Sequence, residues 1–567
     1  MKKIYFSILF FFFAMSLKAQ WTADTMLNTT VRDSNGTSEA TPLSVTTNNG
    51  STYISWFESY NGNYQLRMQL LDANGNKQWA DEGLIVSDYP QSSALYRYDL
   101  QSDHDGNAIV AFQDIRTGGN LNIVAYLISA SGNFLWGASG ISLSDSVSTQ
   151  GLGPVIGVTA SNNIVISWNA SAGSLQWVAC QKISQAGNLL WGSSTLRVID
   201  SSNVKKYTRP SFVASGTDDF LMLFVQQTGS FPYTNTMFVQ RYDASGDGVW
   251  PASIEFSTKT ISFFFFPEPV SDLNGGLYLG FNTSNPVNAS LNDVYVQHID
   301  ADGNLWSATG TEAAVSSTTH KTTPALKYLA SRYEVWVLLK VQDSGQGMSG
   351  VSVQKFDTLG SVLLNANGVT VLPVSSDYNA PADFENVTNG IIIVFTKNSG
   401  FTDQFLKAIK IDYNASSVWA SGEVAVSSVN SSKLRVKAGS YYNNQIVVVW
   451  EDQRIDQGVY VQNIYDDGTI GPLGLPHVIR SAASFTLYPN PANHLPVMLL
   501  DENFAGEITI QLTDVIGNTI MTKHIFLHPS DRQIDLSKLV GHDLLAGIYF
   551  VAVINKNGKK IKRMVKE

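Results

Sequence analysis

Two acid-x-arginine elements are the sharpest chemical signals in this 567-residue chain: Asp114-Ile115-Arg116 and Asp452-Gln453-Arg454. A carboxylate two residues before an arginine suits either a bidentate structural pair or a grip on a polar ligand. Aromatic residues interleaved with Asn, Ser and Gly form other candidate contact stretches: Tyr89, Tyr96 and Arg97; Phe231 and Tyr233; and Phe263-Phe264-Phe265-Phe266. Flat rings supply contact area and amides supply hydrogen bonds, which suits sugars or peptides. The competing reading packs these rings between structural units. Glu58, Asp114, Asp293, Asp343, Asp403 and Asp452 could provide a carboxylate pair for glycoside cleavage, but nothing in the sequence selects two of them. Other catalytic signatures are missing. There is no His-Glu-x-x-His helix, cysteine pair, Gly-x-Ser-x-Gly elbow, phosphate loop or Ser-x-Asp-x-Gly-x-Thr-Trp box. Four of the eight histidines (His494, His524, His528, His542) lie near the C-terminus. No cofactor or metal is expected.

The elements that must position these residues repeat. Glycines recur at Gly75, Gly132, Gly187, Gly246, Gly303, Gly360 and Gly468, with Ala415 in the seventh copy. Three or four residues later comes Trp79, Trp136, Trp191, Trp250, Trp306 or Trp419, with Leu364 in the sixth copy. Adjacent tryptophans are 55 to 59 residues apart. Each copy carries four short runs of period-two alternation or continuous Val/Ile content, separated by Gly/Asn/Asp turns, and these read as antiparallel strands. Four strands in about 56 residues make one blade of a β-propeller, so the expected fold is an all-β, eight-bladed propeller. The fourth strand is expected to begin at the tryptophan. A glutamine recurs on the third strand (Gln69, Gln181, Gln240, Gln297, Gln354, Gln462), and recurrence marks architecture.

In four copies Asp opens and Gly closes the turn before the fourth strand: Asp72-Ala73-Asn74-Gly75, Asp243-Ala244-Ser245-Gly246, Asp300-Ala301-Asp302-Gly303 and Asp357-Thr358-Leu359-Gly360. That is a type I turn capped by the aspartate, with Gly at positive φ; a calcium loop is the alternative for Asp300 and Asp302. The eighth copy lacks a tryptophan-led fourth strand, but Trp21-Thr22-Ala23-Asp24-Thr25-Met26-Leu27 matches one and precedes Trp79 by 58 residues. The N-terminal segment is therefore expected to complete the last blade. The competing arrangement uses Pro476–Arg480. Long loops should share one face of the wheel, where ligand contacts collect.

Composition narrows the partners. Between residues 21 and 484 there are 25 Lys and Arg against 39 Asp and Glu, which argues against nucleic acid or anionic lipid. The single cysteine, Cys180, excludes internal disulfides. Residues 1–20 read as a signal peptide, with Lys2 and Lys3 before an apolar run. No later segment has the roughly 18 apolar residues a membrane helix needs. The domain reading is signal peptide 1–20, propeller 21–480, linker 473–484 and a small Ig-like β-sandwich tail 485–567.

The tail carries the most specific motifs: Tyr488-Pro489-Asn490-Pro491, Asp514-Val515-Ile516-Gly517 and Gly547-Ile548-Tyr549, followed by a basic finish through Lys566. Their order and spacing resemble the type A C-terminal sorting domain of the Bacteroidetes type IX secretion system. The resemblance implies passage through the outer membrane, with the secretion machinery as partner and the cell surface or medium as destination. Asp24-Thr25-Met26, Asp145-Ser146-Val147 and Asp357-Thr358-Leu359 resemble O-glycosylation acceptors of such exported proteins. The functional expectation is a surface or released propeller that binds a glycan or protein. The rival is a polysaccharide hydrolase or lyase acting at the central pore.

Overall fold

The computed structural model describes residues 21–472 and 485–567, apart from residues 92, 117–118, 145–147, 194, 263–264, 399–403, 501–505, 529–532 and 556–557. The signal peptide, the linker with Pro476–Arg480, the Asp145 triplet, Asp403, Phe263 and Phe264 lie outside the described residues. The chain divides into two compact units, 1–472 and 473–567.

The first unit is built from four-stranded antiparallel sheets of the propeller type, eight of them among the described residues. Seven are made of consecutive strands, the first running from Glu39 to Ser87 and the seventh from Ala380 to Ser427. Each sheet packs on the next, and the eighth packs on the first. The eighth is composite. Its strands Ser432–Ala438, Gln445–Gln453 and Gln457–Tyr465 are joined at the outer edge by Thr29–Arg32, with Thr29 opposite Val461. The N-terminal segment thus closes the last sheet, as the repeat spacing predicts.

The paired strand starts eight residues after Trp21, and elsewhere the fourth strands begin four or five residues after the tryptophan, as at Leu84, Ile141 and Ile254. The expectation that they start at the tryptophan is corrected, and the reason is physical. Each indole is needed at the joint with the following sheet. Trp21 lies on Gly75, Trp136 on Gly187 and Trp419 on Gly468, and a Cβ on Gly75 would sit 2.6 Å from the Trp21 ring. At six of these joints the indole N–H also donates to the carbonyl two residues before that glycine, as with Trp21 to Ala73 (3.1 Å), Trp79 to Ala130 (3.0 Å) and Trp306 to Thr358 (3.1 Å); at the Trp250 joint Arg241 takes the equivalent carbonyl, Ala301 O, at 3.0 Å.

The recurring glutamines hold the same segment from the other side. Gln69 donates to Ala80 O at 2.7 Å, Gln181 to Gly192 O at 3.0 Å and Gln462 to Thr22 O at 2.8 Å. At the joint where Leu364 replaces tryptophan, both Leu364 and its partner Ala415 (φ 63°) pack on one apolar cluster. There Lys355 Nζ donates to Tyr413 O at 2.9 Å, on the carbonyl an indole would otherwise take. The Asp300 carboxylate is committed to its turn: Oδ1 accepts from the Asp302 and Asn304 amides and Oδ2 from the Asn304 side chain.

Gly75→Ala forces a methyl onto the indole at a φ of +82° and is expected to cost about 2 kcal/mol or more. Ala415→Gly relieves a positive φ where no indole presses, and stability is expected to hold or to rise by up to ~1 kcal/mol. Denaturant unfolding of the two variants checks this; equal losses would sink the indole–glycine joint as a packing device.

Candidate functional site

The first strand of each sheet lies innermost, and the register of these strands shapes the space between them. Proline occurs at one register in four copies, Pro42, Pro154, Pro210 and Pro324, with Pro267, Pro269 and Pro381 at or near it in two more. These strands are edges of their sheets, where the missing N–H costs no ladder bond. Beside four of these prolines the pairing slips, between Ala40 and Leu43, Leu152 and Val155, Thr208 and Ser211, and Thr322 and Ala325. The residue before each of those four prolines takes positive φ: Thr41 at 53°, Gly153 at 58°, Arg209 at 55° and Thr323 at 49°. A bulge of this kind re-aims a side chain, here into the space between the inner strands.

That space contains a cavity of about 410 Å³ walled by the inner strands of the first four sheets together with Phe266, Glu268 and Lys437. An adjoining cavity of about 590 Å³ shares those three residues and adds Asn282, Lys327 and Asp383. The first cavity is cation-rich. The guanidinium carbon of Arg97 stands 4.1 Å from the Phe266 ring centroid and that of Arg209 5.2 Å from it. Arg209 also donates to Phe265 O at 3.2 Å.

Burial draws the Arg97 pKa down, opposed by Glu268 and Asp99; burial and the like charge of Arg97 draw Arg209 down. Asp383 draws Lys437 up against its own desolvation. Asp99 accepts from the Leu100 and Ile156 amides, both at 2.8 Å, and from Gln101 at 3.3 Å. Burial nevertheless outweighs those bonds and lifts its pKa to about 6. Asp383 is also committed to backbone, accepting from Phe384 N (2.9 Å) and Ala438 N (3.1 Å). Glu268 stands 3.7 Å from Lys437, its side chain 71% exposed.

Of the residues singled out from the sequence, Arg97 lines this cavity. The others are placed elsewhere. Arg116 holds Asp114 through two nitrogens at 2.7 and 3.0 Å, reaches Tyr126 Oη at 3.2 Å and stacks on Tyr89 at 4.4 Å. Arg454 pairs with Asp452 at 3.1 Å and grips the N-terminal segment through Leu27 O and Asn28 Oδ1, both at 2.7 Å. Both pairs are built into the protein's own backbone. Phe231 and Tyr233 form an edge-on pair at 6.2 Å, with Lys206 Nζ 3.2 Å from Tyr233 Oη. Tyr96 is half-buried ahead of the second inner strand.

None of the five described candidate carboxylates (Glu58, Asp114, Asp293, Asp343, Asp452) lines either cavity. They sit at the ends of second or third strands, one or two strands out from the innermost. Sequence reasoning missed Arg209, Phe266 as a cavity wall, Glu268 and Lys437. The neighbouring prolines Pro210, Pro267 and Pro269 are a signal for Arg209, Phe266 and Glu268; no such signal stands beside Lys437.

In the second unit, a three-stranded sheet and a four-stranded sheet share one apolar cluster that includes Phe485, Met498, Ile510 and Val551. The Pro489-Asn490-Pro491 turn docks on the last strand. Asn490 donates to Arg563 O at 2.7 Å and accepts from Val565 N at 2.8 Å, and Ala492 bridges to Lys566. Tyr488 is exposed. Asp514 accepts from the Ile516 and Asn518 amides while Gly517 takes φ 91°. Tyr549 Oη, on the strand that opens at Gly547, donates to Leu545 O at 2.8 Å.

The first unit is thus an all-β domain of the propeller type with a charged cavity between its inner strands, and the second is a small β-domain clamped by its own terminal strand. Residues 486–567 match the family model of the secretion system C-terminal sorting domain, so the tail belongs to that family, the type IX sorting domain. Such a tail indicates secretion or attachment at the outer-membrane surface, with the type IX machinery as partner. No helix among the described residues is long and apolar enough to cross a membrane.

No curated protein matches the chain. Among solved structures, it is similar to a polysaccharide lyase of family PL25, an ulvan lyase bound to an oligosaccharide (10% identity, 80% of this chain, 98% of that one, TM-score 0.43). It is also similar to a Penicillium chrysogenum alpha-L-arabinanase (14%, 61% and 97%, TM-score 0.35) and to a protein of unknown function from Dyadobacter fermentans (9%, 58% and 96%, TM-score 0.33).

The folded pKa of Asp99 exceeds that of the unfolded chain, so folding favours its protonated form. Its stabilising contribution is full below about 3.8 and is lost as pH rises through about 6. The wild-type unfolding midpoint is expected to fall across that window and Asp99→Asn to flatten the fall; identical pH profiles for the two proteins would refute the assignment.

Proposed function

We propose that the chain is an exported, surface-attached or released saccharide-binding protein whose ligand enters the cavity between the inner strands. One observation carries the reading: the two adjoining cavities present guanidinium, ammonium, amide and aromatic groups, while two of their three acids, Asp99 and Asp383, are bound to backbone amides. Glycoside cleavage by the usual route needs two carboxylates facing one bond. Here Glu268 stands without such a partner, its nearest ionic contact being Lys437. Ser44, Gln101 and Asn169 in the wall supply the hydroxyl and amide donors and acceptors that sugar hydroxyls pair with.

Ser44→Trp, which projects an indole into the cavity, is expected to weaken saccharide binding at least tenfold in titration calorimetry without lowering the unfolding midpoint by more than a few degrees. Undiminished binding would move the ligand elsewhere. Release of new reducing ends or unsaturated products from a bound polysaccharide would establish the hydrolase or lyase alternative instead.

The same reading requires export through the tail. Asn490→Ala removes both hydrogen bonds that tie the Pro-Asn-Pro turn to the last strand. The variant is expected to accumulate in the periplasm, as should a chain lacking Phe485–Glu567; surface-labelling and cell fractionation measure both. Normal surface display of the truncated chain would refute the role of the tail.

A further inference from the structure

We propose that the saccharide is anionic, carrying carboxylate or sulfate groups that are held between Arg97 and Arg209. This rests on the saccharide reading above and adds the charge of the ligand. The two guanidiniums share one ring, Phe266, at 4.1 and 5.2 Å. The Arg97 guanidinium stands over the ring and can keep its in-plane N–H donors for a planar anion, while Arg209, which donates to Phe265 O, adds a second positive charge beside it. Arg97 makes no ion pair within 4.0 Å among the described residues, although it is exposed into the cavity. The two nearby acids do not answer it: Asp99 is occupied by backbone and Gln101 donors, and Glu268 leans to Lys437.

Two like charges gathered around one ring repel each other in a partly enclosed site, and an anion between them removes that cost. The surrounding sequence is acidic, with 25 Lys and Arg against 39 Asp and Glu between residues 21 and 484, so the cationic wall is a local feature. A saccharide fits better than an acidic peptide. An extended peptide binds by adding a strand to a free sheet edge, and prolines such as Pro154, Pro210, Pro269 and Pro324 remove the needed N–H donors from these inner edges.

The test uses the full exported protein with polygalacturonate, alginate and chondroitin sulfate, each beside its carboxyl-reduced or desulfated counterpart, and with polyglutamate. At least one acidic polysaccharide is expected to bind, its neutral counterpart at least tenfold more weakly. Arg97→Gln is expected to lose tenfold or more at an unchanged unfolding midpoint, and Arg97→Lys not to recover it, because an ammonium lacks the planar fork. Equal binding of acidic and neutral chains, indifferent to Arg97, overturns the anionic assignment and leaves saccharide binding standing. Polyglutamate bound as tightly, with the same Arg97 dependence, overturns the saccharide assignment, and absence of binding to every polymer overturns both.

Discussion

The contact between an indole and the backbone of the following sheet is the constraint on which the first unit depends. A four-stranded sheet has two faces to cover, and each face is covered only if the neighbouring sheet arrives at the right distance and angle. The tryptophan sets both at once: its ring rests on a glycine that has no side chain to hold it off, and its N–H fixes the register to one carbonyl. A cation on the third strand supports the same carbonyl at several joints. Lys182 joins Trp191 on Ala244 O, and Lys410 lies beside Trp419 on Asp466 O. Where the indole is replaced by Leu364 the cation remains, and the glycine position tolerates Ala415. The exception follows from the mechanism, since a smaller side chain leaves room for a Cβ.

Closure uses that same contact. Trp21 rests on Gly75 of the first sheet while Thr22 accepts from Gln462 of the eighth, so ten or so N-terminal residues tie the ends of the unit together without a disulfide. The Asp452–Arg454 pair belongs to this closure. Its guanidinium stacks on Tyr460 at 3.8 Å and donates to backbone and side-chain oxygens of Leu27 and Asn28. Bidentate and multidentate arginine contacts are among the stronger polar interactions available to a protein, and here they add to the bonds of Trp21, Thr25 and Asn28 that hold the same segment.

How much of this was legible from residues alone depends on whether the residue repeats. Trp79, Gly132 and Gln181 recur at the blade interval, and their spacing is enough to count strands, to predict the closing N-terminal segment and to mark the glutamines as framework. The start of the fourth strands was misplaced because tryptophan reads as a strand residue by propensity, whereas here it serves the joint and the strand begins later, at residues such as Leu84 and Ile254. The cavity was harder. Arg97 has aromatic neighbours in the sequence, but Arg209, Glu268 and Lys437 each stand in short stretches that carry no motif. Bringing them together takes contacts between residues far apart in the chain, as between Lys437 and Glu268, which local pattern does not encode.

The position before the inner-strand proline shows why the cavity can differ from wall to wall although the sheets do not. In the copies whose pairing slips there it is Thr41, Gly153, Arg209 and Thr323, and Arg97 before Tyr98 stands at the equivalent place in the second copy. The bulge leaves this residue's backbone outside the regular ladder, so its side chain is freed from the alternation that fixes every other residue in the strand. Changing it does not disturb an indole joint, a glutamine bridge or an Asp-capped turn. Variation there leaves the framework the same from sheet to sheet while the wall of the cavity changes, and a charged, asymmetric site can grow inside it.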